Sequence, residues 1–110
     1  MLTHQVYFWL KEPDSIDAQA LLKAGLQRLL TIETIHSGHI GIPAATAARE
    51  VVDHSYSFAY YTTFATLQDH EVYQSHPTHL EFVRNCEQLW AKVKVYDYLI
   101  QSGQHFRVTL

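Results

Sequence analysis

Between positions 4 and 10 the chain alternates, with His4, Val6, Phe8 and Leu10 on one side and Gln5, Tyr7 and Trp9 on the other. A period of two, rich in aromatic and β-branched residues, predicts a strand, and both of its faces are apolar enough to need cover. After the turn-prone Lys11-Glu12-Pro13-Asp14 the period changes. Ala18, Leu22, Leu26, Leu29 and Leu30 recur at helical spacing, and Asp14 or Ser15 can cap a helix over about residues 15 to 30.

Residues 31 to 42 are β-prone, with Gly38 and Gly41 marking bends or a bulge, and predict a second strand. Residues 43 to 53, with Pro43 and several alanines, read as a connection. The clearest strand is 55 to 64, where Tyr56, Phe58, Tyr60, Thr62 and Phe64 share a face. Thr66 can cap a short helix to about Ser75. Pro77, at a first helical position that needs no backbone donor, opens another helix carrying Leu80, Val83 and Trp90. A last alternation over 92 to 100 sets Val93, Val95, Asp97 and Leu99 against Lys94, Tyr96, Tyr98 and Ile100.

The order strand, helix, strand, strand, two helices, strand predicts an α+β, ferredoxin-like fold, a four-stranded antiparallel sheet with its helices on one face. The other face would expose Tyr7, Trp9, Tyr96, Tyr98 and Ile100, a larger aromatic patch than a monomer tolerates. A homodimer pairing sheet to sheet is therefore expected. Residues 1 to 100 make the domain, and 101 to 110 form a tail that reads equally as a segment crossing to the partner and as a loose end.

The length of 110 residues suits one domain, and 47% hydrophobic with 17% charged residues places the chain among folded proteins. A net charge of −3 without a stripe of Lys and Arg argues against nucleic acid as a partner. No apolar run approaches the roughly 20 residues that span a bilayer. The start of the chain lacks the pattern of a signal peptide, and the single Cys86 reads as a small buried apolar residue, so the cytoplasm is the expected location.

Eight histidines bear on chemistry, including two His-x-x-His pairs, His36/His39 and His76/His79. On a strand, a separation of three turns His36 and His39 to opposite faces. His76 precedes Pro77, so its ring need not point with that of His79, and no Cys or acidic residue at ligand spacing completes either pair. No metal and no cofactor are expected. His79 is the candidate base, because the first turn of a helix disfavours a positive imidazole. Asp97, on the apolar side of the last strand, needs a partner, and an imidazole N–H of His79 would serve, at the cost of raising the pKa that the helix lowers. His4 and Tyr73 fall where they can line the same cavity between sheet and helices. The plainer account is that such residues only tie strand ends to helix ends. Tyr56, Tyr60 and Phe64, with Leu26 and His76, are candidates for contact with a small-molecule ligand, although the aromatics of the strand at 55 to 64 also read as ordinary core.

The segments His4-Gln-Val-Tyr-Phe-Trp-Leu-Lys11, Gly41-Ile-Pro43, Val51-Val-Asp53, Tyr73-Gln-Ser-His76-Pro-Thr-His79 with Phe82, and Val95-Tyr-Asp97-Tyr98 together resemble the stress responsive A/B barrel domain (Dabb) family over about residues 3 to 98. The resemblance implies a dimeric α+β barrel made of two ferredoxin-like units. The family holds plant stress-associated proteins, a plant polyketide cyclase and many small bacterial proteins without assigned activity. In the cyclase-like members, the positions matching His79, Tyr73, His4 and Asp97 supply the base and its supports. The cyclase also has a tyrosine in its first helix where this chain has Leu26, so the resemblance speaks for the family more than for that reaction. Two functional expectations follow. One is a small dimeric protein of unassigned activity, with a His/Tyr/Asp-lined cavity for a small apolar molecule. The other is a cyclase- or isomerase-like enzyme, without a cofactor, using His79 as base on a carbonyl compound.

Overall fold

The computed structural model describes residues 1 to 101. The elements in chain order are β1 (Leu2–Leu10), α1 (Ile16–Leu29), β2 (Ser37–Gly41), β3 (Phe58–Phe64), α2 (Leu67–Ser75), α3 (Pro77–Cys86), a short 3₁₀ turn (Glu87–Leu89) and β4 (Trp90–Leu99). The strands form one antiparallel sheet in the order β2-β3-β1-β4, the ferredoxin-like arrangement that the sequence predicts.

Local chemistry sets the helix starts. Ser15 accepts the amide of Ala18 at the start of α1, and Thr66 accepts that of Asp69 at the start of α2. The apolar stripe of α1 buries Ala18, Leu22, Leu26 and Leu29 against Val6, Phe8, Tyr60 and Phe64 of the two central strands. A leucine buried this completely contributes about 1.5–3 kcal/mol. Gly25 lets α3 approach α1 closely, since a Cβ there would sit 2.9 Å from Cys86 Sγ. Cys86 is buried, and burial pushes its thiol pKa up, in keeping with an inert core residue.

Several boundaries differ from those predicted. The second strand is short because residues 31 to 35 form tight turns, with Thr31, Ile32 and Ile35 donating to the carbonyls of Arg28, Leu29 and Ile32. The third strand begins at Phe58. Just before it, Ser57 leaves the regular ladder, its amide on Phe8 O and its hydroxyl accepting from Leu10 N. Tyr56 consequently packs with Tyr7 and Trp9 on the face away from the helices, instead of with Phe58 and Tyr60. The helix opened by Pro77 stops at Cys86, so Trp90 belongs to β4, and the buried residues of α3 are Phe82 and Cys86, with Leu80 exposed.

The largest correction concerns β4. Its helix-side residues are not core: Val93, Val95 and Leu99 are 37%, 47% and 61% exposed. The reason is position, because β4 is an edge strand and the helices pack mainly over the two central strands, β1 and β3. Beyond Gln101, the predicted tail lies outside the described residues.

Candidate functional site

A cavity of about 200 Å³ lies between the sheet and α3. Its walls are mainly apolar, from Val6 and Phe8 of β1, Phe82 and Val83 of α3, and Trp90, Val93 and Val95 of β4, and its polar groups come from His4, Tyr60, Tyr73, Gln74 and His79. Since Val93 and Val95 are partly exposed, the cavity opens along the β4 edge.

Tyr73 organises the polar groups. It lies in the last turn of α2, is 1% exposed, and shares a hydroxyl-to-hydroxyl hydrogen bond of 2.9 Å with Tyr60 of β3. Its ring lies edge-on to those of His79, at 4.9 Å, and His4, at 6.0 Å. Burial pushes the Tyr73 pKa up to about 12, the bond from Tyr60 offsetting part of the rise. Tyr60 is driven higher, first by burial and then by Tyr73. Both hydroxyls therefore stay protonated; one of the two hydrogens lies in the bond between them, and the other is free to donate.

His79 is the third residue of α3, its amide bonded to the carbonyl of His76. Its pKa is lowered, first by burial and then by the nearby His4 and His70. Its Nδ1 is buried and finds no hydrogen-bond partner among the described residues. A neutral imidazole beside a cavity can accept a proton, and the free O–H of the tyrosine pair is a donor suited to a carbonyl or enolate oxygen.

Asp97 does not orient His79. It lies directly opposite His4 in the β1–β4 ladder, and its Oδ1 meets His4 Nδ1 at 2.5 Å. His4 is buried, as predicted for a strand residue facing the helices, whereas the Asp97 side chain is 44% exposed. The carboxylate thus has the imidazole partner it requires, but on another strand.

His70 was not anticipated. It lies on α2 one turn before Tyr73, its ring 4.8 Å from that of His4 and 5.2 Å from that of Phe64. Its pKa is lowered by burial and then by His4, against the opposing pull of Asp97 and Glu71. The signal was present in the spacing, since residues three apart on a helix share a face.

The remaining candidates are placed elsewhere. Leu26 and Phe64 are fully buried core beneath the site and do not line the cavity. His76 caps α3, its Nδ1 accepting the amide of Thr78 at 3.0 Å, and its Nε2 lies 3.4 Å from Glu33. Tyr56 lines a separate, open depression of about 490 Å³ on the other sheet face, with Tyr7, Trp9, Lys92, Lys94 and Tyr96. His39 stacks on Tyr61 at 4.7 Å, away from both.

Comparison with known proteins agrees with this architecture. The family model described as stress responsive A/B barrel domain matches residues 2–100. A Dabb family protein with a ferredoxin-like fold from Mesorhizobium loti superposes with a TM-score of 0.74 at 23% identity, covering 92% of this chain and 97% of that one. The hydroxynitrile lyase of Passiflora edulis gives 0.76 at 22% identity, over 94% and 96% of the two chains. A dimeric ferredoxin-like protein of unknown function from Thermobifida fusca gives 0.74 at 18%, over 90% of each. No curated protein matches the sequence. Among the described residues, no helix is long and apolar enough to cross a membrane.

Proposed function

The chain belongs to the stress responsive A/B barrel domain family, and on that premise we propose that its cavity binds a small, mostly apolar molecule bearing a carbonyl group. The observation that carries this is the composition of the cavity: apolar walls with two buried tyrosine hydroxyls and a neutral imidazole among them. Size sets the class of ligand. An apolar cavity of about 150 Å³ holds benzene, so 200 Å³ accommodates a single ring with a short polar substituent.

Benzaldehyde and acetophenone are suitable probes. Titrated into ¹⁵N-labelled protein, they should shift the amide signals of Tyr73, His79 and Phe82, and Val83→Phe, which fills the space, should remove the response. Shifts that persist unchanged in Val83→Phe would place binding elsewhere.

A second reading, that His79 acts on the ligand as a base, is favoured by its lowered pKa and by an Nδ1 without a partner among the described residues. Its test is exchange of the α-protons of acetophenone in D₂O. A positioned base accelerates such a step by about 10²–10⁴-fold, and His79→Gln should abolish the acceleration while binding survives. Exchange at the protein-free rate would leave a binding protein. The Passiflora lyase supports the idea that this fold carries enzymes, while at 22% identity it lends no reaction.

We also infer a homodimer. The face away from the helices carries Tyr7, Trp9, Tyr56 and Tyr96 around an open depression, Tyr96 and Tyr98 are about half exposed, and the Thermobifida relative is dimeric. Light scattering should give twice the chain mass, and a monomer at high micromolar concentration would exclude the pairing.

A further inference from the structure

Three metal-ligating side chains from three different elements converge beside the cavity: His4 of β1, His70 of α2 and Asp97 of β4. One ring nitrogen of each histidine and one carboxylate oxygen lie within 4.8 Å of one another. His70 and Asp97 are not among the cavity walls, so the cluster is a separate feature that shares only His4 with them. Two imidazoles and a carboxylate form a donor set suited to zinc, iron or cobalt, with positions left for water. We propose that His4, His70 and Asp97 bind a divalent transition-metal ion at the open edge of the sheet.

The placement of the donors favours an ion over a chance meeting of polar groups. His4 is 4% exposed and fixed within the ladder between β3 and β4. His70 is packed against Phe64 and His4, and its Nε2 lies 3.2 Å from Gln74 Nε2; when an ion takes the other ring nitrogen, the Gln74 amide turns over so that its oxygen accepts the Nε2 hydrogen, as outer partners of metal-bound histidines do. Asp97 is the exposed member and supplies both a route from solvent and the freedom to adjust. That freedom is needed: two ligands about 2.0–2.1 Å from a tetrahedral ion stand roughly 3.4 Å apart. The His4–Asp97 contact is 2.5 Å. Uptake of an ion on Nδ1 therefore breaks this hydrogen bond, the neutral ring carries its one hydrogen on Nε2, and Asp97 swings outward by about 1 Å. The His-x-x-His pairs singled out in the sequence are not so arranged, since His76 is engaged in capping and His39 in stacking.

The test uses the full chain without a histidine tag, freed of metal with a chelator and titrated with Co²⁺. One Co²⁺ per chain should bind, with the visible absorption of a four-coordinate site, and Zn²⁺ should displace it. His70→Ala should weaken Co²⁺ binding at least about 10-fold, as should Asp97→Asn, whereas the double variant His36→Ala/His39→Ala should bind as the wild type does. Zn²⁺ should raise the melting temperature of the wild type and not that of His70→Ala. If His70→Ala fails to fold, the longer polar variant His70→Gln carries the same comparison. Absence of the visible band, or equal Co²⁺ affinity in wild type and His70 variant, overturns the proposal.

Discussion

His4 and Asp97 meet at 2.5 Å from opposite environments, the imidazole with 5% of its side chain exposed and the carboxylate with 44%. A hydrogen bond to a charged group contributes about 1.5–3 kcal/mol when both partners are buried, and the exposure of Asp97 reduces this toward about 1 kcal/mol. Asp97→Asn, unfolded with urea in the presence of chelator, should lose about that much, with a lower midpoint and an unchanged slope. An unaltered midpoint would mean that the pair contributes nothing to the fold.

The Tyr60–Tyr73 bond is buried on both sides, so removing one hydroxyl leaves the other unpaired. Tyr60→Phe and Tyr73→Phe should each cost about 1–3 kcal/mol. The double variant should cost less than the sum, because no orphan remains, and a double-mutant cycle should show a coupling of about 1 kcal/mol. Additive losses would contradict a bond between these two groups.

Two histidines make stability depend on pH. His79 and His70 both have pKa values lowered mainly by burial, so the unfolded chain binds protons that the folded chain resists. Their contribution is complete above the unfolded histidine value of about 6.5, and it is lost as pH falls from there through the lowered folded values. Melting temperatures measured across this range should fall more steeply for the wild type than for His79→Gln/His70→Asn. Parallel curves would show that neither ring is held neutral.

The element order was legible because alternation and helical spacing are local properties. Phe8, Leu22, Leu26 and Tyr60 are buried where their periods put them. What the sequence could not display was partnership across the sheet. Asp97 was expected to serve His79, yet the ladder sets it against His4, and a register is fixed by two strands and not by one. Tyr56 left its expected face because one irregular residue, Ser57, interrupts the alternation. The exposure of β4 was equally hidden, since an edge strand and a central strand share one pattern until the strand order is known.

Gly25 sets two effects against each other. Alanine gains about 1 kcal/mol of helix propensity, but its Cβ would lie 2.9 Å from both Cys86 Sγ and Phe82 Cδ1. Overpacking of this kind costs about 1–3 kcal/mol, so Gly25→Ala should destabilise by about 1 kcal/mol in a urea titration, and Cys86→Ala in the same chain should restore part of the loss. A more stable Gly25→Ala would show that α1 and α3 separate without penalty.

Val93 and Val95 are at once wall of the cavity and outer rim of the sheet. A rim strand has only one neighbour to hold it, so the molecule's door is made of an edge strand. Whatever comes to lie along β4 will set how fast a guest leaves, without touching the guest.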